Sequence, residues 1–110
     1  MKSLRLKPIC IIAARGGSKG VPHKNTRKLA GIPLIAHTIQ SAVNTGIFSS
    51  VIVTTDDPKI SKISKHYGAD VPFLRPKKLA TDNASMTDVL LHAITNLRQL
   101  NYEFDTVVNR

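Results

Sequence analysis

Short apolar runs alternate with helix-length amphipathic stretches along this chain, and that alternation restricts it to an α/β fold with a mostly parallel sheet and right-handed crossovers. Ile9 to Ala13 reads as a buried first strand. A first helix is expected from Pro33 to Asn44, with proline in its first turn, Leu34, Ile35, Ile39, Ala42 and Val43 inward, and Gly46 as its stop. Val51 to Thr55 is the second strand. Pro58 to Tyr67 is the second helix, burying Ile60, Ile63 and Tyr67 and ending at Gly68. Val71 to Leu74 is expected as a third strand. A third helix, Met86 to Leu100, carries the stripe Val89, Leu90, Ala93, Ile94, Leu97 and Leu100. Thr106 to Asn109 closes the series as a fourth strand. At 110 residues, one domain is expected.

The loop after the first strand carries the chemistry. Arg15 to Asn25 holds three glycines, Ser18 and the cations Arg15, Lys19 and Lys24. Glycine lets backbone N–H groups approach a ligand closely, and successive inward amides form a concave anion site. Lysine and arginine supply the charge a polyphosphate needs. The spacing matches neither G-x-x-x-x-G-K-S/T nor G-x-G-x-x-G. Two readings stand on these residues alone, a phosphate cradle and a basic surface loop.

Asp56 and Asp57 follow the second strand, where α/β proteins keep ligand loops. Paired aspartates there suit a metal. Asp57-Pro58 also reads as the cap and first position of the next helix, and that reading is preferred. His23, His37, His66 and His92 lack ligand spacing. The lone Cys10 excludes an internal disulfide and suits a reducing cytoplasm. No apolar run reaches membrane-spanning length, and the stretch after the basic start is too short for a secretory signal.

Formal net charge is +9, yet all seven acidic residues lie from Asp56 onward. Such asymmetry makes a field suited to a polyanion. Nucleic acid is the rival partner for a chain this basic. Against it, the five aromatics (Phe48, Tyr67, Phe73, Tyr102, Phe104) are not interleaved with cations as stacking surfaces require.

Read together, IIAARGGSKGVPHKN, LAGIPLIAHTIQSA, VIVTTDD and GADVPFLRPKKLATD resemble the cytidylyltransferases that activate acidic sugars, N-acylneuraminate cytidylyltransferases above all. Relatives acting on legionaminic, pseudaminic and 3-deoxy-octulosonic acids share the pattern. The resemblance implies a Rossmann-like fold with strand order 3-2-1-4. It also implies a reaction in which a sugar hydroxyl attacks the α-phosphate of CTP, helped by Mg2+, releasing CMP-sugar and pyrophosphate. By position, Arg15, Gly16, Gly17, Ser18, Lys19 and Lys24 would lie along the triphosphate, with Arg15 and Lys24 the catalytic candidates. Asn25 would hold the nucleotide, and Arg75, Ala84 and Ser85 would lie near cytosine and ribose.

Two positions depart from the family pattern: Ala13 stands where proline is common, and His23 where arginine is frequent. Family members are also considerably longer. The expectation is therefore an N-terminal, nucleotide-side half, truncated after the fourth strand, with the metal ligands, the sugar pocket and the dimer-building extension beyond Arg110. Such a half would be of doubtful activity, with an uncovered edge on its fourth strand and no family homodimer. A non-catalytic nucleotide- or polyanion-binding module is the alternative, as is a nucleotidyltransferase for another base or sugar.

Overall fold

The computed structural model describes residues 6–16 and 24–110, with Lys24 as backbone only. Gly17, Ser18 and Lys19, and the side chain of Lys24, lie outside the described residues.

Strand β1 (Ile9–Ala13) lies at the centre of a three-stranded sheet of order β4-β1-β5, where β4 is Ser50–Thr54 and β5 is Val107–Asn109. Both pairings are parallel. Ile9 faces Ser50 on one side and Val107 on the other. Parallel pairing requires a crossover, and helices α1 (Leu34–Asn44), α2 (Pro58–His66) and α3 (Met86–Gln99) supply the packed cover. Side chains alternate across the strand. Cys10 and Ile12 therefore join Ile35, Ile39, Val53 and Ile60 beneath α1 and α2. Ile9 and Ile11 join Ile52, Ala93, Leu97 and Phe104 beneath α3. A strand buried on both faces has no polar side to show, which is why β1 reads as a continuous apolar run. The Arg98 guanidinium lies 4.0 Å over the Phe104 ring and closes that side of the core.

The helix boundaries follow local chemistry. Asp57 caps α2 by accepting from Lys59 N–H at 2.8 Å, with Pro58 at the first helical position. Gly68, at φ 100°, takes the left-handed turn beyond its end. At the end of α3 a non-glycine, Asn101, takes that conformation at φ 68°, while Tyr102 N–H reaches back to Leu97 O at 3.0 Å.

Several expectations need correction. Val71 to Leu74 is not a strand. Among the described residues, a single parallel bridge, Asp70 to Ile52, remains on the outer side of β4, with Asp70 N–H to Val51 O at 2.8 Å. Pro72 has no N–H for a ladder, so pairing stops where the chain enters the predicted run. The order 3-2-1-4 survives with its first member reduced to that bridge. Val43 and Leu100, expected inward, are exposed. A hairpin, β2 (Lys28–Leu29) with β3 (Ile32–Pro33), was not anticipated. Its two-residue turn has Ala30 at φ 54° and Gly31 at φ 81°, the paired positive angles of a tight hairpin. Pro33 consequently belongs to β3 and flanks α1 rather than opening it. On β5 the ladder with β1 runs through Asn109, and among the described residues the opposite edge has no strand partner. Thr106 beside it is exposed, while Val107 and Val108 are half-buried.

Candidate functional site

The C-terminal ends of β1 and β4 are neighbours in a parallel sheet, so the loops leaving them meet. Ala14 N–H still bonds Thr54 O at 3.0 Å, the last rung before the chains diverge. One residue on, Gly16 N–H donates to Asp56 Oδ1 at 2.9 Å. Asp56 also accepts from Lys77 Nζ at 3.3 Å. Burial works to raise the Asp56 carboxyl, but the hydrogen bonds from Gly16, Lys77 and its own backbone, together with the Lys77 charge, outweigh it and hold it below the ordinary carboxylate value. The start of the glycine loop is thus pinned to the second strand's end by a carboxylate.

A second set of bonds ties the far wall to the same place. Arg75 is buried. Its backbone N–H reaches Thr55 O at 2.7 Å, its Nη2 donates to Thr54 O at 2.9 Å, and its Nη1 donates to Leu79 O at 3.0 Å. Leu79 closes a short 3₁₀ turn, Lys77–Leu79. Arg75 therefore bolts that turn to β4. Burial lowers its pKa, the Asp56 carboxylate works the other way, and Arg15 adds to the lowering. Among the described residues, Arg75 Nε and the nearby His92 Nδ1 are buried without a partner. Burial, with the charges of Arg75 and Lys78, lowers the His92 pKa.

Between these walls lies a cavity of about 200 Å³, lined by Ala13 and Arg15 from the end of β1, by Arg75, Leu79, Thr81, Asp82 and Ala84, and by Met86 and Val89 of α3. Three of the residues singled out in the sequence, Arg15, Arg75 and Ala84, meet there. Ser85 follows Ala84 as the cap of α3, its Oγ accepting from Asp88 N–H at 3.0 Å. Asn25 stands behind Arg15, donating from Nδ2 to Arg15 O at 3.2 Å. Because the Ser85 cap satisfies an otherwise orphaned helix donor, Ser85→Ala is expected to lower stability by about 1 kcal/mol. Urea unfolding of the two chains measures this, and an unchanged midpoint would count against the cap.

Sequence reasoning missed two participants. Asp82 forms an ion pair with Arg15 Nη2, and Lys77 holds Asp56. The only signal for Asp82 was its place in Thr81-Asp82-Asn83, which reads as a turn. Among the described residues, no three His, Cys, Asp or Glu side chains gather as a metal site. No helix among them is long and apolar enough to cross a membrane.

The family model for cytidylyltransferases matches residues 9–103, taking in both walls of the cavity and the loop between. The chain belongs to the cytidylyltransferase family. It is 45% identical over 102 residues to a pseudaminic acid cytidylyltransferase of Campylobacter jejuni, covering 93% of this chain and 44% of that protein. A CMP-N,N'-diacetyllegionaminic acid synthase of Legionella pneumophila is 40% identical over 94% of this chain and 44% of its own length. An N-acylneuraminate cytidylyltransferase of Escherichia coli is 47% identical over 84% of this chain and 22% of its own. A solved structure of CMP:2-keto-3-deoxy-manno-octonic acid synthetase complexed with CTP superposes with a TM-score of 0.77 at 27% identity, covering 94% of this chain and 39% of that one. The chain therefore spans less than half the length of these relatives. The resemblance read from the four sequence blocks is borne out, as is the mostly parallel α/β fold.

Proposed function

We propose that this chain provides the nucleotide-binding side of a cytidylyltransferase site that takes CTP and an acidic sugar of the nonulosonate type. The observation that carries the reading is the cavity at the end of β1, where Arg15, Arg75 and Ala84 converge. Arg15, Gly16, Gly17, Ser18, Lys19 and Lys24 line the triphosphate in this reading. Asn25, Arg75, Ala84 and Ser85 serve the base and ribose. The sugar hydroxyl oxygen bonds the α-phosphorus, the bond from that phosphorus to the bridging oxygen breaks, and pyrophosphate leaves with the electron pair. The hydroxyl proton passes to a base or to water. Such chemistry asks the protein chiefly for alignment and for cations beside the developing charge.

Mg2+ belongs to this reading because it neutralises phosphate charge when bound. The described carboxylates at the site do not fit as its holders. Asp56 is bonded to Gly16 and Lys77, Asp57 caps α2, and Asp82 is paired with Arg15. The ion's ligands are assigned outside the described residues. The reading further places the reaction in the cytoplasm, where CTP is made, without a nucleic-acid or membrane partner.

Calorimetric titration of the chain with CTP tests it. Arg15→Ala and Lys24→Ala are each expected to weaken binding by about 1.5–3 kcal/mol, the scale of a charged hydrogen bond. Lys28→Ala, on the exposed hairpin strand β2, is expected to matter less. Equal losses at all three would replace a built phosphate site with diffuse attraction.

A further inference from the structure

We infer that Asp82 is an internal stand-in for a nucleotide phosphate, holding Arg15 at the cavity until a polyphosphate displaces it. The inference rests on the nucleotide-binding reading above and adds a residue that reading does not use. Asp82 lies between the Lys77–Leu79 turn and α3, in a segment whose local backbone bond is Ala84 N–H to Thr81 O at 3.2 Å. Its carboxylate oxygen Oδ1 meets Arg15 Nη2, and both residues line the same cavity. The side chains are 27% exposed for Arg15 and 44% for Asp82. A pair so solvated is weak and readily exchanged.

The chemistry of the exchange is direct. A guanidinium fork accepts a carboxylate or a phosphate in the same planar geometry, and a polyphosphate carries more charge. Asp82 thus keeps Arg15 extended towards the cavity while it is empty. Once nucleotide arrives, the same carboxylate is a like charge beside the phosphates. It is a positioning residue whose removal strengthens anion binding, opposite to the effect of losing a ligand contact.

The test titrates the full chain and its Asp82→Asn variant with tripolyphosphate, CTP and cytidine, with thermal melts run alongside. Asp82→Asn is expected to bind CTP and tripolyphosphate about 3- to 10-fold more tightly and to leave cytidine unchanged. In an Arg15→Ala background the gain should vanish, because the two side chains act as one unit. Asp82→Ser supplies a turn-forming hydroxyl without the charge and should shift affinity in the same direction, which covers the case in which the asparagine variant folds poorly. Unchanged or weaker anion binding in both variants, with wild-type binding intact, overturns the stand-in role alone. Failure of the wild-type chain to bind either anion would overturn the nucleotide site along with it.

Discussion

Replacing Arg75 by alanine is expected to destabilise the chain by about 3 kcal/mol or more, the largest effect of any single substitution at the site. The side chain is 5% exposed, and its two Nη groups satisfy the carbonyls of Thr54 and Leu79. Hydrogen bonds from a charged donor contribute about 1.5–3 kcal/mol each, and truncation removes both the Leu79 and the Thr54 bond, although Thr54 O keeps its Ala14 N–H donor. Arg75→Lys should recover little, because one ammonium on a flexible stem does not reproduce a planar fork reaching two carbonyls. Arg75→Met refills the volume without the bonds and should remain clearly destabilised. Denaturant unfolding separates these variants. A methionine variant as stable as wild type, with CTP binding abolished, would instead make Arg75 purely a ligand contact.

Gly16→Ala should be nearly as damaging for a different reason. A Cβ there would lie 2.8 Å from Asp57 Oδ2, 3.0 Å from its Cβ and 3.2 Å from its Cγ. The Asp57 side chain is committed to capping α2, and its Cβ moves only with the backbone. Overpacking of this kind costs about 1–3 kcal/mol, and a displaced cap adds about 1. Because glycine serves as a cap at a cost of only a few tenths of a kcal/mol, Asp57→Gly removes the obstructing atoms almost harmlessly. Gly16→Ala should then be close to neutral in the Asp57→Gly background. Thermal melts of the four chains complete the cycle, and an undiminished cost in that background would locate the requirement for glycine elsewhere.

Much of the framework was legible because it is written locally. Asp57-Pro58 is a cap and a first helical residue side by side, and the structure uses both that way. The unbroken apolar character of Ile9 to Ala13 foretold a strand covered on both faces. The third strand misled because Val71 to Leu74 has strand-like composition, while its proline decides the hydrogen bonding. The Ala30-Gly31 turn was hidden because alanine rarely adopts positive φ, so nothing in its identity announces a hairpin. The contacts of Asp82 and Asp56 were invisible for another reason. Each pairs with a residue far away in sequence: the parallel register of β1 and β4 brings Asp56 to Gly16, and the segment that Arg75 ties to β4 brings Asp82 to Arg15. Arg75 shows the same limit: the resemblance set it only near cytosine and ribose, whereas its bonds to two carbonyls needed coordinates.

The pairing of β1 with β5 also sets an order of events. Ile9 is made well before its partner Val107, which follows only after nearly all of the described chain between them has been synthesised. A central strand with one late neighbour must wait with one side open, and pairing across so long a separation is slow because the loop must close before any contact repays it. The early β1–α1–β4 unit can gather first, leaving β5 to complete the sheet in a distinct, later step. During that interval Ile9 to Ile11 present free backbone groups on that side, leaving the middle of the sheet open to a wrong partner.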